Sequence, residues 1–296
     1  MNNATLLAGA LCLAASSSAQ GASRREPLIL QPTSEWVLDY APERCTLLRE
    51  YGENDQKLKL RVDSFGSWVS FRVTVSGKLV PKSFGPVGDL SVRLTHDERE
   101  RARRAFFGKA GSQPAAFFGL DFVPLEWLKY DEGAEERTLP DYLSDPALKE
   151  FERNTTDMLI EFASGKKVDL RFSEMSRPLK ALRDCIDNLH QAWGLDPDRE
   201  KLLSKRARPT DQTVKAMQRH FPNDMVWSGR NGYIPVRIMV DAQGNGSDCV
   251  VQTDKVEESF REAVCEGLSK TFEPALDQSG TPVASVFRTA VIYLIG

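Results

Sequence analysis

Histidine is scarce in this sequence: His96, His190 and His220 are the three among 296 residues. Each stands alone, with no ligand spacing around it, and reads as a surface or capping residue. There is no Cys-x-x-Cys pair, so neither a zinc site nor a thioredoxin-like redox motif has support. There is no Gly-x-Ser-x-Gly elbow of the serine hydrolases. The stretch GKAGSQPAAFF over 108–118 lacks the residue order of a phosphate loop. No metal or other cofactor is expected. Charge of one sign is lacking too: 39 Lys and Arg against 42 Asp and Glu give a net charge of −3, which offers no basic face for nucleic acid. No apolar run approaches the roughly 20 residues of a membrane span. With 41% hydrophobic and 27% charged residues, what remains is ordinary globular composition, in a chain long enough for two domains.

The first 23 residues carry no charged side chain. An apolar stretch from Ala4 to Ala15 is followed by Ser17-Ser18-Ala19, the small-x-small pattern of a secretory signal peptide. We expect a signal over 1–19 and an exported, periplasmic protein, with membrane contact only if that segment is retained. Leu11 is too large for the residue preceding a lipoprotein cysteine, which argues against a lipid on Cys12. Loss of the signal leaves Cys45, Cys185, Cys249 and Cys265. An even number in an exported chain implies disulfides, and four cysteines allow three connectivities.

Residues 34–196 read as a β-rich domain. Trp36 to Tyr40, Cys45 to Arg49, Lys57 to Val62, Trp68 to Ser76 and Ala115 to Val123 alternate with period two. Asp157 to Phe162 and Val168 to Phe172 flank Ala163-Ser164-Gly165-Lys166 as a hairpin. The domain closes with a helix over Met175 to Trp193, in which Leu179, Leu182, Cys185, Ile186 and Leu189 form an apolar stripe and Gly194 is a stop. Cys185 lies on that stripe and faces the β layer, which makes a bridge to Cys45 geometrically feasible. Asp97 to Lys109 (DERERARRAFFGK) could touch an anionic lipid or glycan. Its mixed charges suit a solvated helix better. Asn154-Thr155-Thr156 matches a glycosylation acceptor and is read as idle. The charged stretch 197–210 reads as a linker with a short helix.

Residues 211–296 read as a second, small α+β domain. Gln212 to Phe221 is a helix stopped by Pro222. Ile234, Val236, Ile238 and Val240 share one face of a strand. Asp241 to Gly246 is a tight turn rich in residues that tolerate positive φ. The same residues resemble the start of a calcium loop, but Gln243 and Gln252 stand at two ligand positions, and a hairpin turn accounts for them. Cys249, Val251 and Thr253 share a face of the returning strand. Glu257 to Phe272 is a helix, and Val286 to Leu294 a final strand. The order helix-strand-strand-helix-strand gives a three-stranded antiparallel sheet with helices on one face. Cys249 and Cys265 come together if the Cys249 face is buried. Their bridge would close a loop of about 16 residues, worth roughly 3 kcal/mol on the chain-entropy model.

The series Gly232-Tyr-Ile-Pro-Val-Arg-Ile-Met-Val-Asp-Ala-Gln-Gly, Cys249-Val-Val, Phe260-Arg-Glu-Ala-Val-Cys, Phe272-Glu-Pro-Ala and Gly280-Thr-Pro-Val resembles the C-terminal domain of TonB-type energy transducers. His220-Phe221-Pro222 stands where such proteins often carry Tyr-Pro. The resemblance covers about 85 residues, and the two cysteines resemble a subset of the family with a strand–helix disulfide. A β-rich segment stands here in place of the family's membrane helix and Pro-rich spacer. The resemblance implies a bacterial envelope protein, not an enzyme. It implies binding of a receptor segment by strand addition at the last strand, through Val286, Arg288, Ala290 and Ile292; a homodimer is a further partner to expect. An edge merely blunted by Arg288 would explain that strand equally. Two other classes compete: an envelope hydrolase with its site in the β-rich domain, and a structural or peptidoglycan-associated protein.

Overall fold

The computed structural model describes residues 26–83, 85–96, 98–128, 139–219, 222–227, 229, 231–253, 256–268 and 270–295. The expected signal segment, Cys12 and His220 lie outside them.

The protein is mixed α+β and rich in strands. Ten strands of the first 171 residues form one sheet: β1 (Leu28–Leu30), β2 (Val37–Ala41), β3 (Arg44–Tyr51), β4 (Leu58–Ser64), β5 (Ser70–Gly77), β6 (Val87–Arg93), β7 (Arg101–Ala110), β8 (Gln113–Asp121), β9 (Asp157–Phe162) and β10 (Lys167–Arg171). Their spatial order is β1-β10-β9-β6-β7-β8-β5-β4-β3-β2. Alternation places Leu58, Leu60 and Val62 of β4 with Phe71, Val73 and Val75 of β5 in one core. The sheet curls until its ends nearly meet. β1 pairs parallel with β10. Just beyond it Pro32 bridges Tyr51, and the Thr33 N–H donates to the Glu50 carbonyl at 2.8 Å.

Helices α1 (Leu139–Ser144), α2 (Pro146–Asn154) and α3 (Ser176–Ala192) accompany this sheet. The stripe on α3 is buried against it, and the Cys45–Cys185 disulfide ties β3 to the helix. Asp187 of α3 accepts from Trp68 Nε1 at 2.7 Å, and Arg183 pairs with the buried Glu152 of α2.

The helix expected over Asp97 to Lys109 is corrected: from Arg101 this segment is β7. Ion pairs spaced i,i+4 contribute only a few tenths of a kcal/mol each, whereas β7 pairs with β6 on one side and β8 on the other. The buried Arg101 is met by Glu98 at 2.6 Å and by the carbonyls of Asp121 and Val123. Arg101 and Ala105 face the core, while Ala102, Arg104, Gly108 and Lys109 are exposed.

The segment 197–210 is ordered against the C-terminal unit. α4 (Pro197–Lys201) is capped by Asp196, whose carboxylate accepts from the Asp198 and Arg199 N–H groups. Leu203 and Ala207 join the second core. β11 (Arg208–Pro209) pairs with β14 (Phe272–Glu273), and β15 (Ala275–Leu276) with β16 (Pro282–Val283).

In this second unit β12 (Gly232–Val240), β13 (Gly246–Val251) and β17 (Ser285–Tyr293) form an antiparallel sheet in the order β13-β12-β17. α5 (Asp211–Arg219), α6 (Asn223–Trp227) and α7 (Glu258–Leu268) complete it. Phe260, Val264 and Leu268 of α7 pack on Ile234, Val236 and Ile238, and Cys249 is bonded to Cys265. α7 stops at Leu268, short of the expected Phe272, which enters β14 and packs on Phe287 at 5.3 Å. The Asp241 turn is built as a turn. The Asp241 carboxylate accepts from the backbone of Gln243 and Asn245 at 2.9 and 2.8 Å. Gly244 there has φ +84°, and a Cβ on it would lie 2.2 Å from the Phe272 carbonyl oxygen.

Candidate functional site

β12 pairs with β17 without interruption from Gly232↔Tyr293 to Val240↔Ser285, so β17 is an edge strand. Which of its residues point outward follows from one hydrogen bond. The Pro235 carbonyl accepts from the Gln252 N–H at 2.8 Å, so the polar groups of Pro235 are turned toward the β13 side. N–H and C=O of one residue share a side in a strand, and the side alternates along the chain. Ile234, Val236 and Ile238 therefore serve β17, through Val291, Thr289 and Phe287. The N–H and C=O groups of Val286, Arg288, Ala290 and Ile292 are left aimed away from the sheet.

The side chains of those four lie on the face opposite α7, with Tyr233, Pro235 and Arg237 beside them. This face meets the first unit. Arg237 donates to Glu43 through Nε at 2.7 Å and Nη2 at 2.9 Å, and sits over the Trp193 ring at 4.9 Å. Tyr233 packs on Phe106 at 5.5 Å. Arg72, paired with Asp63 at 2.9 Å, lies over Phe65 and Tyr233. Gln252, 1% exposed, reaches the Glu43 carbonyl through Nε2 at 3.3 Å. Its Oε1 has no partner among the described residues.

The Arg288 side chain turns toward the first unit. The residue is partly exposed, and its guanidinium lies about 6 Å from the Trp68 ring centre and 3.5 Å from His190 Nε2. Gly66 makes room for it. Its φ of +97° suits glycine, and a Cβ there would lie 2.6 Å from Arg288 Nη1 and 2.8 Å from the Trp193 ring. Burial and the neighbouring Arg206 lower the Arg288 pKa, while Glu200 opposes them. Glu200 itself accepts from the Ser285 hydroxyl at 2.9 Å, and burial raises its pKa.

Between this edge and the ends of β5 and β8 runs a groove of about 650 Å³. Arg288, Thr289 and Ala290 form one wall; Ser70, Phe71 and Asp121 form the other. Of the four residues expected at a binding edge, Arg288 and Ala290 line the groove. Val286 is buried, 5% exposed, and Ile292 is open to solvent. Sequence reasoning missed Trp68, Arg72, Tyr233 and Gln252. The alternation of Tyr233, Pro235 and Arg237 opposite the apolar face was the one available signal.

His190 corrects the expectation of a surface histidine. It is fully buried, its ring tilted against Trp68 at 4.4 Å, and its Nε2–H donates to the Gly66 carbonyl at 2.9 Å. Burial first, then Arg288, pushes its pKa from 6.5 to about 3, against the Gly66 hydrogen bond. The folded value lies below the unfolded one, so the unfolded chain takes up the proton first. The contribution of neutral His190 is complete above about pH 6.5 and is lost as pH falls toward about 3, with roughly 2 kcal/mol gone by pH 5. Urea midpoints at pH 7 and pH 5 should therefore differ more for the native protein than for His190→Asn. Equal differences would contradict this role. His96 is exposed and makes no hydrogen bond among the described residues.

Among the described residues no three His, Cys, Asp or Glu gather as a metal site, and no helix is long and apolar enough to cross a membrane. The two disulfides are compatible with an oxidising, extracytoplasmic setting. The chain matches no protein-family model, no curated protein and no solved structure.

Proposed function

We propose that this protein is an exported envelope protein whose second unit binds an extended segment of another protein by strand addition to β17. The observation that carries the reading is the outward backbone of Arg288 and Ala290, facing an open groove beside an uninterrupted β12–β17 pairing. Main-chain hydrogen bonds of such an edge supply affinity for an extended peptide, and flanking side chains supply selectivity. The resemblance of 211–296 to TonB-type C-terminal domains supports the same reading and suggests an outer-membrane receptor segment as partner. No enzymatic step and no cofactor enter it.

Ala290→Pro tests the reading. Its register partner is Pro235, and the lost N–H points away from β12, so the internal pairing keeps its hydrogen bonds. Capture of an envelope partner by the full chain should fall at least tenfold in the variant, with the fold retained by circular dichroism. Unchanged capture would sink strand addition.

A further inference from the structure

We infer that the groove selects an acidic strand, one that sets a carboxylate beside Arg288. This inference rests on strand addition to β17 and names the chemistry of the segment added.

Arg237 and Arg288 are direct cross-strand neighbours. Like charges so placed repel unless each is compensated. Arg237 is compensated by the bidentate ion pair to Glu43. Arg288 has no such pair: among the described residues no carboxylate lies within 4 Å of it, and Glu200, which acts on it from farther off, is shared with Arg206 and Arg199. Its remaining neighbours are the Trp68 ring, His190, held neutral by burial, and the cationic Arg206. Arg237 on β12 is thus answered from the first unit by Glu43, while Arg288 on β17 stands next to the open edge. A strand docked there places its next side chain on the same face as Arg288, at the spacing of a cross-strand pair. A carboxylate there gives Arg288 the partner that Glu43 gives Arg237, and in this partly buried setting accepts a charge-assisted hydrogen bond. The opposite wall does not supply the missing charge. Asp121 makes no ion pair with Arg288, and its charge acts on Arg103, while Arg72 is paired with Asp63.

The test uses the full chain and two fluorescein-labelled peptides, Thr-Glu-Val-Glu-Val-Glu-Thr and its counterpart with every glutamate replaced by glutamine. Alternate placement puts all the carboxylates on one face, so sliding the register by two residues still presents one to Arg288. By fluorescence anisotropy at 50 mM salt, the glutamate peptide should bind about tenfold tighter than the glutamine peptide. Arg288→Gln should erase that ratio, and Arg288→Lys should retain part of it. Ala290→Pro should weaken both peptides. Equal affinity for the two peptides, with both still lost in Ala290→Pro, would overturn acid selection and leave strand addition standing. Failure of both peptides to bind, or binding indifferent to Ala290→Pro, would overturn the selection together with the reading beneath it. A preference for glutamate that survives Arg288→Gln would assign it to other cations and overturn the role of Arg288.

Discussion

Replacing Cys45 and Cys185 together by serine is expected to lower the unfolding free energy by roughly 5 kcal/mol, the chain-entropy value for a loop of 140 residues. That is comparable with the whole stability of many domains. The bridge joins β3 to the helix that closes the domain, so the unfolded chain is held in a loop of 140 residues and its ends cannot separate. Both sulfurs are buried, at 0 and 2% exposure, and each serine would add a polar hydroxyl in an apolar layer. Guanidinium unfolding of the double variant should show its midpoint far below that of the native protein. The same exchange at Cys249 and Cys265, which close only 16 residues, should cost about 3 kcal/mol. A smaller loss at the long loop than at the short one would refute the entropic account.

Glu43→Ala is expected to uncouple the two units. Glu43 is the bidentate partner of Arg237, whose side chain is 11% exposed. Removing the acid leaves a nearly buried guanidinium beside Arg288, with the Trp193 ring as its remaining partner. Breaking a buried pair on one side costs roughly 3 kcal/mol, and the partial exposure of Glu43 brings this nearer about 2 kcal/mol. Each unit has its own core and its own disulfide. Calorimetry of the variant should therefore resolve two transitions. The double variant Glu43→Ala with Arg237→Leu removes the stranded charge and should recover part of the loss. If it recovers nothing, the cost lies in the packing of this face instead.

Glu43→Ala also bears on the groove, because the two walls belong to different units. Strand addition needs only β17, whereas acid selection also draws on the setting of Trp68 and His190 around Arg288. Loosened docking should leave the response to Ala290→Pro intact while reducing the preference for glutamate.

Much of the architecture was legible as local pattern. Leu58, Leu60 and Val62 announced a strand because period-two alternation reports a half-buried surface directly. The α3 stripe announced its helix for the same reason, with Cys185 on the buried side. Asp241-Ala-Gln-Gly carried its turn chemistry in four residues. The failures were equally physical. β7 was hidden by charges that, without neighbours, fit a helix, and the residues that make Arg101 tolerable inside, Asp121 and Val123, are about 20 positions away. β6, with Gly88 and Asp89 within it, shows no alternation strong enough to declare a strand. His190 looked like a surface residue because its ring partner Trp68 is more than 100 positions distant.

The sequence by itself determined strands such as β4, β5 and β12 and the helix α3, since each depends on apolar residues recurring a few positions apart. It also determined that the last strand alternates, and so that one set of residues would turn its backbone the opposite way from the other. Only the tertiary structure decided that the outward set is Val286, Arg288, Ala290 and Ile292. That fact hangs on a proline carbonyl of β12 meeting an N–H from beyond β13. Only the tertiary structure set Glu43 against Arg237 across 194 positions and left Arg288 without such a partner. Charge compensation depends on distance in space, and no local spacing encodes it.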